Sequence, residues 1–203
     1  MSLSDLADQQ SLFLSSFGAP EGMSVARARA FQDALASAVL HNALYAPATK
    51  ANERHEVIAE WKKMLADIAS GYAKRHGTER YEQDLIRLQA HMNRHFGMYF
   101  RQTRHPKFGY EPGFRISHAQ MSLGLVLKHY WCLGTIEMPP QCPVGRTVLV
   151  AARAGELNSK WNDVNSIEAH RAKIKWVKAA ATAEDLTIAE WELKTVNEKA
   201  GAS

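Results

Sequence analysis

Cysteine is scarce in this chain of 203 residues, with Cys132 and Cys142 the only two. Without a visible secretory signal, such a pair reads as reduced thiols rather than a staple, so the fold must rest on packing. Glycine (12) and proline (7) are few and charged residues make 23%, which excludes a collagen-like repeat and whole-chain disorder. No apolar run reaches the roughly 18 uncharged residues of a membrane span. The longest, from Ala119 to Leu133, is broken by Lys128 and His129, and no membrane partner is expected. The opening MSLSDLADQQ carries Asp5 and Asp8 but no basic segment. Neither a secretory signal nor an Arg-rich transit peptide is read there, and a cytoplasmic location is the expectation. Sustained period-two alternation is absent, as are repeats at roughly 20 to 50 residues and any Gly-rich phosphate loop. Sheet architectures, solenoids and the common nucleotide-binding motifs are thereby set aside.

What the chain does have is apolar residues, 46% of the total, enough for one sizeable core. Their spacing is helical. Ser4 to Phe17 predicts a short helix closed by Gly18. From Ser24 to Tyr45, Phe31, Leu35, Val39 and Ala43 recur every four residues until Pro47. Asn52 to Arg75 repeats the pattern with Val57, Trp61, Leu65, Ile68 and Tyr72, and Thr78 to Met98 repeats it with Tyr81, Leu85, Leu88, Met92 and Phe96. Ser117 and Gln120 have the spacing of a capping box, which predicts a helix from His118 to Leu133 with Gly134 in the left-handed closing position. That helix has no polar face and belongs at the centre of a bundle. The stretch from Thr135 to Pro143, with Pro139, Pro140 and Pro143, reads as a rigid crossover. A short helix over Val144 to Ala154, one capped by Asn165 or Ser166, and one opened by a Thr187–Glu190 capping box with Leu186 and Trp191 as its staple complete the chain. The expectation is one all-α domain over residues 1–203, about seven or eight helices around a buried central helix, with a ragged tail from about Asn197.

The net charge, +4, is too small to argue for nucleic acid, but its distribution is uneven. Between residues 101 and 115, Arg101, Arg104, Lys107 and Arg115 stand against the single acid Glu111. Phe108, Tyr110 and Phe114 are interleaved with them, either as rings that stack on bases or as anchors of the loop to the core. The Pro112-Gly113 turn leaves backbone amides to face an anion at the start of the next helix, where Ser117 is a further donor. A phosphate site would therefore comprise Arg101, Arg104, Lys107, Gly113, Arg115 and Ser117, with DNA as the candidate partner. Phe108, Tyr110 and Phe114 equally suit a helical protein-interaction or inhibitor module, in which they anchor a protein partner. A third class is an unrecognised hydrolase-type enzyme with a cleft near the proline-rich crossover.

Other constellations are weaker. His91 and His95 share a helix face, but the intervening Met-Asn-Arg lacks the glutamate of the zinc-protease motif. Cys132, Cys142 and His129 lack a fourth ligand and the spacing of a zinc knuckle. Neither metal nor other cofactor is expected, and no catalytic residue is assigned.

The run Glu111-Pro112-Gly113-Phe114, followed by Ser117-His118-Ala119 and a long apolar helix, resembles the hairpin and following helix of the helix-hairpin-helix DNA glycosylases. Pro143-Val144-Gly145-Arg146, opening a short helix, is similar to their catalytic-aspartate turn. The resemblance covers about 35 of the 203 residues. It implies a DNA-binding helical scaffold with a catalytic lysine near Ser117 or Met121 and an aspartate at Gly145. None of these three residues has the implied side chain. The family's leucine before Pro-Gly and its second glycine are replaced by Glu111 and Arg115. What the resemblance implies is thus a glycosylase-like scaffold with altered or absent base-excision chemistry.

Overall fold

The periodic apolar spacing forms eight α-helices among the described residues: α1 (Leu3–Ser15), α2 (Met23–Val39), α3 (Ala51–Ser70), α4 (Thr78–Phe96), α5 (Ile116–Cys132), α6 (Arg146–Ala151), α7 (Ile167–Ala183) and α8 (Ile188–Gly201). The structure is a computed structural model that describes residues 1–16, 22–107, 109–155 and 159–201. Single 3₁₀ turns at Gly71–Ala73 and Gly97–Tyr99 follow α3 and α4, and one isolated antiparallel bridge pairs Tyr45 with Phe100. The architecture is an all-α bundle. No described helix is long and apolar enough to cross a membrane.

Helix α5 is the axis. All of its 17 residues except Leu125 and Tyr130 are buried. It packs most extensively on α2 and also meets α1, α3, α4 and α7. Around it Trp61, Leu65, Leu85, Leu88, Phe100, Phe114, Leu123 and Leu127 form the main core. Helices α6, α7 and α8 enclose a second cluster with Val148, Leu149, Val177 and Trp191, and Phe13 of α1 closes a third against Trp131 and Leu193.

Several boundaries differ from the periodicity, each for a local reason. Helix α2 stops at Val39 rather than Tyr45. The Asn42 side chain donates to the Ala38 carbonyl (3.0 Å) and occupies a terminal acceptor that a further turn would have used. His41 then takes a left-handed conformation (φ 53°), and Leu44 is buried from a loop, so the apolar period outlasts the helix. Helix α5 starts two residues early, because the Arg115 N–H donates to Nδ1 of His118 (3.0 Å), three residues on. Ser117 and Gln120 are consequently released from capping: Gln120 makes two bonds with the backbone of Val144 (2.8 and 3.1 Å). Gly134 closes the helix with φ 67°. The Thr187–Glu190 box is present in both directions. The expected ragged tail is instead helical to Gly201, with Asn197 buried and donating to the Gln9 carbonyl (2.8 Å), because α1 lies along α8. The expected closure of the first helix at Gly18 lies outside the described residues.

Gly124 sets how closely the crossover approaches. A Cβ at this position would come within 2.9 Å of the Pro143 nitrogen. Four residues on, Lys128 carries charge into the core and is met by Glu192 of α8 at 2.9 Å, both side chains 3% exposed. The Lys128 ammonium also sits 4.3 Å from the Phe13 ring centroid. Removing one member strands the other charge in a medium that cannot solvate it. Lys128→Met is therefore expected to lower unfolding free energy by about 3 to 5 kcal/mol in urea titration. Adding Glu192→Leu should recover most of that loss; a double variant no more stable than the single would contradict a coupled pair.

Candidate nucleic-acid interface

A cleft of about 550 Å³ opens where three cation-bearing segments converge beside His41. The loop after α4 supplies Arg104 and Lys107, the first turn of α6 supplies Arg146, and the segment before α7 supplies Lys160, Trp161 and Asp163. All four cations are solvent-exposed, whereas Asp163 is the one acid among the described lining residues. Arg104 is steadied by donating to the Gly109 carbonyl (2.8 Å), with the Glu111 carboxylate 3.5 Å away.

The cleft floor is tied together by hydrogen bonds between segments remote in sequence. Asn162 donates to the His41 carbonyl and to the Tyr110 hydroxyl, each at 2.7 Å, and that hydroxyl in turn donates to the His41 carbonyl. Trp161 is half-buried, packing against both larger core clusters while it lines the cleft. The concavity thus combines four cations, the Trp161 and Tyr110 rings and a braced polar floor.

Of the six residues expected to hold a phosphate, only Arg104 and Lys107 line this cleft. Arg115 is 1% exposed and Ser117 is fully buried, so neither reaches a surface ligand. Arg115 donates through Nη1 to the Glu111 carbonyl and through Nη2 to Asn42 Oδ1 and the Ala43 carbonyl, with its guanidinium 5.2 Å from the Tyr110 ring centroid. Burial lowers its pKa to about 10, leaving it cationic at neutral pH. Its charge sits beneath a wall residue rather than in the opening. Ser117 accepts from the Asn42 side chain at 3.2 Å.

The amides of the Pro112-Gly113 turn do not await an anion. The Gly113 N–H donates to the Arg101 carbonyl and the Phe114 N–H to Asn93 Oδ1. Gly113 is needed instead for its left-handed φ of 77° and for the approach of Asn93 Oδ1, which would lie 2.8 Å from a Cβ. Arg101 is half-buried and does not line the cleft; its main chain bonds to Leu44 and Gly113. The aromatic set expected to face a protein partner is turned inward as well: Tyr110 is 7% exposed and Phe114 1%, while Phe108 lies outside the described residues.

Arg146, Lys160 and Trp161 were not among the expected site residues. The adjacent Lys160-Trp161 pair is a cation-next-to-ring signal of the kind sought between residues 101 and 115, and Arg146 directly follows the Pro143-Val144-Gly145 turn.

His91 bonds to Glu60 (2.9 Å) and its ring centroid is 4.5 Å from that of His95. Cys132 and Cys142 are buried thiols, and burial pushes the former up to about 12, so it stays protonated at neutral pH. Among the described residues no three His, Cys, Asp or Glu side chains come together as ligands. No protein-family model, curated protein or solved structure matches the chain.

Two buried histidines are held neutral next to this architecture. His118 accepts from the Arg115 N–H on Nδ1 and donates from Nε2 to the Asn42 carbonyl (3.0 Å), which leaves no position for a second proton. Burial, then the Arg115 charge, drives its pKa well down. His170, 2.7 Å from Gln141 Oε1, is lowered by burial to about 4. The unfolded chain binds these protons from about pH 6.5 downward while the folded chain does not. Stability is therefore full above pH 6.5 and is lost as pH falls toward 4, by about 3 kcal/mol from His170 alone. Urea midpoints measured from pH 7.5 to 4.5 should decline through this window, and a flat profile between pH 7 and 5 would contradict neutral burial.

Proposed function

We propose that this protein binds nucleic acid by gripping backbone phosphates in the cleft between the 104–107 loop, Arg146 and the 160–163 segment. The observation that carries this reading is the convergence of Arg104, Lys107, Arg146 and Lys160 on one concavity, with Asp163 the one acid among its described lining residues and Glu111 beside Arg104. Cations from three segments remote in sequence meet there, on a chain whose overall excess is only +4. Phosphate contacts of this kind are sequence-independent and strongly salt-dependent.

The proximity of Met121 to Gly145 also supports a glycosylase-like scaffold. The Met121 methyl lies 3.5 Å from where a Gly145 Cβ would stand. These are two of the positions at which the resemblance expects a lysine and an aspartate, and Gly145 directly precedes Arg146 of the cleft. Here the pair supplies neither an amine nucleophile nor a carboxylate to stabilise charge on a sugar. Lys128, on the same helix as Met121, is consumed by Glu192. The reading is thus a binding protein without base-excision turnover. The protein-partner alternative loses Tyr110 and Phe114 as surface anchors, since both are buried.

Binding should be measured by fluorescence anisotropy on oligonucleotides from about 50 to 200 mM salt. Replacing Arg104, Lys107, Arg146 and Lys160 by glutamine should flatten the log-affinity against log-salt slope by about three units, at roughly 0.7 to 0.9 per phosphate contact. No binding at about 50 mM salt, where electrostatic association is strongest, would overturn the proposal.

Chemistry is tested separately. Borohydride trapping on an abasic-site duplex should yield no adduct, and damaged-base duplexes should show no multiple-turnover base release. A trapped adduct or sustained release would establish a catalytic group elsewhere in the chain.

A further inference from the structure

Resting on that reading of the cleft, we infer that its preferred occupant is a single strand, with one base stacked on Trp161 while its phosphates lie against the cations. Duplex phosphates are met by exposed cations alone, because paired bases already stack on one another and cannot use a ring in a cleft wall. This cleft is built with such a ring. Trp161 follows the cation Lys160 directly and precedes Asn162, whose side chain is locked to His41 and Tyr110. Its indole is half-buried against both larger core clusters, so little rotamer freedom remains to be lost on stacking. The volume, about 550 Å³, falls within the range of pockets that enclose a small organic ligand, which suits a base with its sugar rather than the broad face of a double helix.

The arrangement matches the general requirement for single-strand binding, cations that follow the backbone beside an aromatic platform for a base. Trp176 provides an internal comparison: it is another partly exposed tryptophan, 41% accessible on α7, and does not line the cleft. Stacking is sequence-tolerant because every base presents a π face, so the preference concerns strandedness rather than base identity.

The test compares a labelled single strand of about 15 nucleotides with a duplex of the same length at about 50 mM salt, for the full chain and for Trp161→Ala, Trp161→Phe and Trp176→Ala. The expected result is tighter binding of the single strand. Trp161→Ala should weaken that binding by about tenfold or more, Trp161→Phe should retain most of it, and Trp176→Ala should leave it unchanged. Duplex affinity should be insensitive to all three substitutions. If Trp161→Ala fails to fold, Trp161→Phe and the wild-type ratio of single-strand to duplex affinity still decide. Equal or tighter binding of the duplex overturns this inference while leaving the phosphate-binding reading intact, as does a Trp161→Ala variant with unchanged or uniformly weakened affinity. Failure to bind either form overturns both.

Discussion

Burying α5 on every side commits each polar group along it to a partner, because a buried donor or acceptor left unmade costs more than the bond returns when made. Those partners are distributed over the rest of the molecule. Ser117 and His118 bind Asn42 after α2, Ser122 accepts from the Trp61 indole of α3, and Gln120 pairs with the Val144 backbone beyond the crossover. Lys128 takes Glu192 from α8, and His129 meets Asp33 of α2 at 3.0 Å. An all-apolar helix would tolerate rotation and sliding of its neighbours. This one does not, since each contact is directional and together they tie α5 to α2, α3, α8 and the segment beyond the crossover.

The cleft is a consequence of the same constraint. Gln120 and the absent side chain of Gly124 bring Pro143 and Val144 onto α5, and two residues later Arg146 emerges at the surface. At the N-terminus of α5, Asn42, whose carbonyl accepts from His118, takes a bond from the Arg115 guanidinium, which lies beside the Tyr110 ring. Tyr110 then engages Asn162, and Asn162 brings Lys160 and Trp161 opposite Arg104 and Lys107. Cations from three segments are thus brought to one cleft by hydrogen bonds beneath them. A surface prearranged in this way is one on which a polyanion releases counterions without first having to order the protein.

Arg115 shows how one residue type serves two purposes. In the sequence it is the fourth cation of a basic loop; in the fold it is a buried bracket among carbonyl oxygens, stacked near Tyr110. Its five donors in a planar fork let it satisfy several carbonyls from one position, which a lysine ammonium would do less well. The charge persists, but the contact surface has passed to Arg146 and Lys160.

Helical class, the identity of the central helix and most caps were legible in the chain because they depend on neighbours within four residues. The period of Val57, Trp61 and Leu65, the Thr187–Glu190 box and the left-handed Gly134 are local facts, and α5 declares its burial by having no polar face. Where α2 ended and α5 began was less legible, since Asn42 and His118 competed with the local pattern through side-chain bonds to the backbone. The cleft was beyond sequence reading altogether. Two of its cations stood in a visible cluster, but whether Arg104 faces water while Arg115 enters the core is decided by Asn42, more than 70 residues before Arg115. Arg146 and Lys160 join them only after the crossover has docked on α5. Charge clustering along a chain records proximity in one dimension, whereas a binding surface requires side chains to share a direction, and that direction is set by long-range packing.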